Sequence, residues 1–216
     1  MVRARYIVVE GVEGTGKTTQ VAWLKDYLEA KGKTVLCTKE PGTPLLPLTM
    51  NLRGFMLDAK HDAEMTPVAR ELISQTIRSI HMEKLIKPAL TEYDYIIQDR
   101  GVLSGLSYGW ACGHDLRWLT DMACTACGLH KGTSLYNIYD DVVLFEGNAA
   151  AGLKRAQTAK QEYTAGDIIE AKGSQFMEKV QRNMCELKVE FPIRTVYIDG
   201  KDIQSVHLEV LKVLDL

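Results

Sequence analysis

Proline is scarce in this chain, six residues in 216. No stretch is Pro-rich enough to act as a linker, and no repeat or low-complexity tract interrupts the sequence. Long apolar runs are also missing. The longest early one, Tyr6-Ile7-Val8-Val9, is far too short for a membrane span or a signal-peptide core. Net charge is close to absent: 26 Lys and Arg against 28 Asp and Glu leave a formal −2. That balance excludes a basic surface that wraps nucleic acid, but not a local cluster of cations around a small anion. Cysteine is sparse and odd in number, five in all. A chain this long buries enough core to need no disulfide staple, so the thiols read as reduced and buried, in a cytoplasm.

What is present is an ordinary globular composition, 46% apolar and 25% charged. Tyr6 to Val9 reads as a strand buried on both faces. Val21, Leu24 and Leu28 recur at helical spacing from Lys17 to Lys31, and Gly32 stops that helix. Further strands are predicted at Thr34–Cys37, Asp94–Gln98, Asp141–Phe145 and Thr195–Ile198. Between them lie a long helical pattern from Pro67 to Leu90 and helices around Leu119–Ala126, Phe176–Leu187 and Val206–Leu214. Strands alternating with helices predict an α/β domain, a five-stranded parallel sheet with helices on both faces. No break in composition marks a second domain, so residues 1–216 read as one.

Gly11-Val12-Glu13-Gly14-Thr15-Gly16-Lys17-Thr18 matches the G-x-x-x-x-G-K-[ST] phosphate loop at every fixed position. It follows a strand and opens a helix, as that loop requires. Its glycines let backbone N–H groups face phosphate oxygens, and the helix N-terminus adds partial positive charge. Lys17 would reach the β- and γ-phosphates of ATP, and the Thr18 hydroxyl would ligate Mg²⁺. Asp99 ends an apolar strand, where a carboxylate that orients Mg²⁺ is expected. In a doubly wound sheet the carboxyl ends of strands gather along one crevice, which predicts that Arg53, Asp99 and Arg100 converge beside the loop. Arginines beyond the loop lysine suggest a second phosphate group, one that accepts.

Val8 to Gln20, Thr38-Lys39-Glu40-Pro41-Gly42-Thr43, Asp99-Arg100 with Ser104 and Tyr108, Ile86-Lys87-Pro88-Ala89-Leu90 and the strand Phe191 to Asp199 together resemble the thymidylate kinase family nearly end to end. The resemblance implies a P-loop kinase fold with a lid at about 155–172, transfer of phosphate from ATP to dTMP with Mg²⁺, small-molecule nucleotides rather than nucleic acid or membrane as partners, and a homodimer. It implies that Lys17, Asp99 and Arg100 are catalytic and that Gly11 to Thr19, Arg155 and Lys160 meet ATP. Arg155 would pack on adenine, and Lys160 would supply a lid cation. On the acceptor side, Arg53 and Arg100 would hold the phosphate, Glu13 would lie near the 3′-hydroxyl, Tyr108 against the sugar and Arg78 on the thymine ring, with Glu40, Ser74 and Ser104 also among the acceptor-binding residues.

The chain departs from the family at two places. Ser74 stands one turn before Arg78, where members carry a phenylalanine that stacks on thymine. Phe55, Tyr108 or Trp110 are candidates to replace that aromatic; otherwise dUMP, a modified pyrimidine or a broader set of monophosphates is the alternative acceptor. The lid string Asp167-Ile168-Ile169-Glu170 lacks the usual arginine. His81 reads as a surface helix residue. The Cys and His residues at 112–130 match no zinc spacing and read as buried thiols on a helix. Two other function classes remain open on the residues. One is a deoxynucleoside kinase, whose hydroxyl acceptor needs a base and for which Glu40 is the candidate. The other is a nucleotide-gated binding protein with little chemistry.

Overall fold

The computed structural model describes residues 3–130, 133–160, 168–191 and 193–216. Five parallel strands form one sheet in the order β2-β3-β1-β4-β5: β1 (Arg5–Glu10), β2 (Val35–Lys39), β3 (Tyr95–Asp99), β4 (Asp141–Glu146) and β5 (Ile193–Tyr197). All five expected strands form, with ends shifted by one or two residues. Successive strand residues point to opposite faces, so continuous apolar runs serve two cores. Ile7, Val9, Ile97, Val143 and Phe145 meet α1 (Lys17–Ala30) and α9 (Ile203–Val213) through Leu24, Leu28, Val206 and Val210. Tyr6, Val8, Ile96, Val142 and Leu144 face the other core, built with the helices described next.

That second layer contains α3 (Pro67–His81), α4 (Lys87–Glu92), α5 (Val102–Ala111), α6 (Leu116–Ala126) and α8 (Gly173–Glu186). The long pattern from Pro67 is a single helical run in which α3 passes through a π-helical turn, Met82–Ile86, into α4. Pro88 explains the wider turn. It cannot donate to the ladder, and its ring crowds the carbonyl four residues earlier, which a π turn displaces.

Three helices lie outside the sequence expectation. In α2 (Pro47–Leu57) only Thr49 and Met56 are buried, so no apolar stripe marks it. By contrast, α5 is buried almost all round and shows no polar face. The third, α7 (Ala149–Lys160), occupies the start of the expected lid. The connection leaving β1 runs over β3 to β2 at one edge, and the one leaving β3 runs over β1 to β4 on the other side. The loops at the carboxyl end of β1 part there and open a crevice.

Candidate active site

The phosphate loop turns directly out of β1. Gly11 has φ +143°, and a Cβ on it would lie 2.8 Å from the Phe145 carbonyl oxygen. Gly14 has φ +68°, and a Cβ there would come within 1.8 Å of the Gly152 oxygen on α7. The first turn of α7 therefore lies against the loop backbone, which excludes any side chain at position 14. Lys17 opens α1 and is 6% exposed. Its Nζ donates to Val12 O at 2.7 Å and to Thr15 Oγ1 at 3.2 Å. Burial pushes its pKa down to about 7, with the Arg100 charge adding to the effect. Lys17, Thr18, Asp99, Arg100 and Arg155 line a cavity of about 370 Å³.

The Thr18 hydroxyl donates to Asp99 Oδ2 at 2.6 Å, joining the loop to the end of β3. The other carboxylate oxygen, Oδ1, is buried without a hydrogen-bond partner among the described residues. A hydroxyl and an unsatisfied carboxylate oxygen beside a phosphate loop are the hard donors that Mg²⁺ takes. The residues at this point fit that ion.

Arg100 follows at φ +63°, in the left-handed region that residues with a Cβ rarely adopt. Its backbone N–H donates to Val9 O at 2.9 Å, and Gln98 Nε2 donates to its carbonyl at 2.8 Å. The guanidinium donates to Gly11 O at 2.7 Å, to Ser104 Oγ at 3.3 Å and to Glu13 Oε1 at 3.0 Å. It also lies over the Tyr108 ring, 5.4 Å from the centroid. Burial holds the Tyr108 phenol up at about 12, against the pull of the Arg100 charge. Glu13, Asp99, Arg100, Ser104 and Tyr108 are thus brought together around the loop.

A second polar cluster sits behind them. Arg78 Nε donates to Glu40 Oε2 at 3.0 Å, and its Nη1 donates to Gln75 Oε1 at 2.7 Å. Gln75 in turn donates to Glu71 at 2.6 Å. His81 is fully buried rather than on the surface, 3.1 Å from Glu40 Oε1 and 2.8 Å from Thr38 Oγ1. A bridge to a buried carboxylate places it inside, a signal that helix periodicity does not carry. Burial by itself would raise the Glu40 carboxyl, but Arg78 and His81 outweigh it and hold the carboxyl down at about 2. Arg53, on α2, reaches this region through Pro41, whose carbonyl accepts from its Nη1 at 2.8 Å. Ser74 is half-buried on α3. The aromatic candidates to replace a stacking ring have other partners: Phe55 lies against His61 at 4.3 Å, and Tyr108 against Phe176 at 6.2 Å.

Arg155 meets the loop itself, its Nε donating to Gly14 O at 3.1 Å. Lys160 ends α7, and its side chain, like Asp167, lies outside the described residues. The thiols differ from expectation. Cys127 is buried, and desolvation raises it to about 12, but Cys112 is exposed and Cys124 half-buried. Two residues of the site carried no motif. Glu10, wholly buried, accepts from Gly101 N, Ser104 N and Ser104 Oγ. Gly152 is the backbone on which the loop rests. A charged residue ending an apolar strand was the available signal for Glu10; for Gly152 there was none.

Comparison with known proteins agrees with this geometry. A family model for thymidylate kinase matches residues 9–210. A thymidylate kinase of Citrifermentans bemidjiense is 34% identical over 214 residues, covering 97% of this chain and 90% of that protein. One of Nitrosospira multiformis is 30% identical, with 97% and 96% covered. A probable thymidylate kinase of Thermococcus kodakarensis is 30% identical, with 97% of each covered. With a phosphate loop, an Asp99-Arg100 pair beside it and relatives matched over nearly the whole length, the chain belongs to the thymidylate kinase family.

Proposed function

We propose that this protein transfers the γ-phosphoryl group of ATP to dTMP, giving ADP and dTDP. One observation carries the reading: the Arg100 guanidinium, 2.7 Å from the Gly11 carbonyl, ties an acceptor-side cation to the donor loop. The nucleophile is a phosphate oxygen whose second pKa is near 6, so it is already ionised at neutral pH and needs no base. The barrier is then the approach of two anions in line. Lys17, Arg100 and Arg155, all lining the cavity, supply positive charge. Thr18 and Asp99 would hold Mg²⁺, which would supply further charge neutralisation on the transferring phosphates. Ser104, Arg53 and Glu13 belong to the acceptor phosphate and sugar, and Arg78 with Ser74 to the base. Glu40 serves by orienting Arg78.

Glu40 bears on the deoxynucleoside kinase alternative. A carboxylate paired with Arg78 and His81 and held at about 2 is a poor general base. We propose further that residues 1–216 are one kinase domain with its lid at about 155–172, closing over the ATP phosphates. A homodimer is supported by exposed Leu45, Leu48, Phe55, Val68 and Leu72 on and beside α2 and α3. The five free thiols support a reducing cytoplasmic location. No helix among the described residues is long and apolar enough to cross a membrane.

The test is a coupled ADP-release assay across dTMP, dUMP, the other ribo- and deoxymonophosphates and thymidine. Stimulation by dTMP first is expected. Stimulation by thymidine alone would establish the hydroxyl acceptor, and none by any acceptor would refute the kinase.

A further inference from the structure

We propose that Glu10 is a positioning residue that locks Arg100 to the phosphate loop and so sets the gap between donor and acceptor phosphates. This rests on the assignment of Arg100 to the acceptor side. The loop follows β1 and the arginine follows β3, so no local stretch of chain fixes the distance between them. Three consecutive residues at the end of β1 make the connection instead. Val9 O accepts from Arg100 N at 2.9 Å, Gly11 O accepts from its guanidinium at 2.7 Å, and Glu10 between them takes the residues that follow.

The Glu10 carboxylate is 0% exposed, and both its oxygens are engaged. Oε1 accepts from Gly101 N at 2.8 Å and from Ser104 N at 3.1 Å, while Oε2 accepts from Ser104 Oγ. Those backbone groups are the unsatisfied donors of the first turn of α5, whose N-cap, Gly101, has no side chain to offer. Glu10 therefore caps α5 from another element, a carboxylate at a helix N-terminus where the dipole favours it. Arg100 immediately precedes that cap in a conformation its own Cβ disfavours. Val9 holds the peptide before Arg100, and Gln98 and Glu10 together hold the one after it, Gln98 through the Arg100 carbonyl and Glu10 through Gly101 N, so the residue is pinned on both sides in that conformation. Burial raises the Glu10 carboxyl, and the bonds from Ser104 and Gly101 oppose that, so the site spends hydrogen bonds to keep a buried acid in place. In-line transfer is sensitive to misplacement on the order of 1 Å, which makes this clamp a determinant of turnover rather than of ATP affinity.

The test uses the full chain with ATP and dTMP, measuring ADP and dTDP separately and following thermal unfolding. Glu10→Gln keeps the geometry. Its Oε1 accepts both backbone bonds, and its amide donates to the Ser104 hydroxyl. Glu10→Ala removes all three. The expected result is a fall in kcat of about 100-fold for the alanine variant, with the KM for ATP within about 3-fold. ADP should then form in excess of dTDP, as water takes the misaligned phosphoryl group. The glutamine variant should stay within about 10-fold of wild type and keep ADP and dTDP equal. Equal impairment of both variants would overturn positioning in favour of charge. An alanine variant that loses thermal stability but turns over normally, with equal ADP and dTDP, would make Glu10 structural only. If Glu10→Ala does not fold, Glu10→Asp, which draws the carboxylate back by one methylene from Gly101 and Ser104, reads the same effect at roughly 3–10-fold in kcat, with the KM for ATP unchanged; no change there overturns the proposal. A wild type that releases ADP without forming dTDP refutes the kinase reading itself, and the role of Glu10 falls with it.

Discussion

Replacing Arg78 with methionine strands a buried carboxylate. Glu40 loses the guanidinium at 3.0 Å and keeps His81, which is itself bonded to Thr38. The depression of Glu40 from an ordinary 4.5 to about 2 corresponds to about 3 kcal/mol of folding stability at neutral pH. Breaking one side of a buried ion pair elsewhere costs about 3–5 kcal/mol, which agrees. For a domain of this size that is a fall of roughly 6–20 °C in Tm. The sign with pH is equally specific. In the wild type the folded pKa lies below the unfolded one, so the contribution is full above about 4.5 and is lost as pH falls toward 2. In Arg78→Met, burial acts without its main counterweight and raises the Glu40 carboxyl. The variant should then become more stable, relative to wild type, as pH drops from 7 to 5. Denaturant unfolding at several pH values measures both effects. The double variant Arg78→Met/Glu40→Gln should recover more than half of the loss. A single-variant cost below about 1 kcal/mol, or a pH slope equal to wild type, would refute the reasoning.

Lys17→Met should abolish transfer and leave the unfolding temperature near wild type, because a desolvated ammonium adds little to the fold; ADP release and thermal melting check both. With the Lys17 pKa held at about 7 and anionic phosphates favouring its charged form, ATP binding at pH 8 should take up a proton and weaken as pH rises. Calorimetry in buffers of different ionisation enthalpy reads that uptake. Arg100→Ala should raise the KM for dTMP by 100-fold or so while changing ATP binding several-fold at most; equal loss of both would contradict its assignment. Gly152→Ala places a Cβ 2.6 Å from the Glu13 oxygen, so ATP affinity should fall by about tenfold with little change in overall stability. Equilibrium binding of ATP measures it.

The parts legible in the sequence are those governed by local rules. The phosphate loop could be read because glycine spacing and a following lysine have few other uses, and the strands because two-sided burial demands unbroken apolar runs such as Val142 to Phe145. Asp99 and Arg100 were legible as the polar end of such a run. The helices α2 and α5 were not. One is buried at only two positions and the other almost all round, so neither shows the one-sided stripe that reveals a helix.

By itself, then, the sequence determined a parallel α/β domain with a phosphate loop and an Asp99-Arg100 pair at a strand end beside it. It did so because backbone geometry and phosphate chemistry restrict residue types at fixed spacing. Only the tertiary structure decided how the arginines of the site are held. Glu10 meets Ser104 across 94 residues, Arg78 meets Glu40 across 38, and Gly14 rests on the backbone of Gly152. Such contacts depend on strand order and register, and on burial that turns an ordinary glutamate into a cap or a counter-ion. No local spacing rule encodes them.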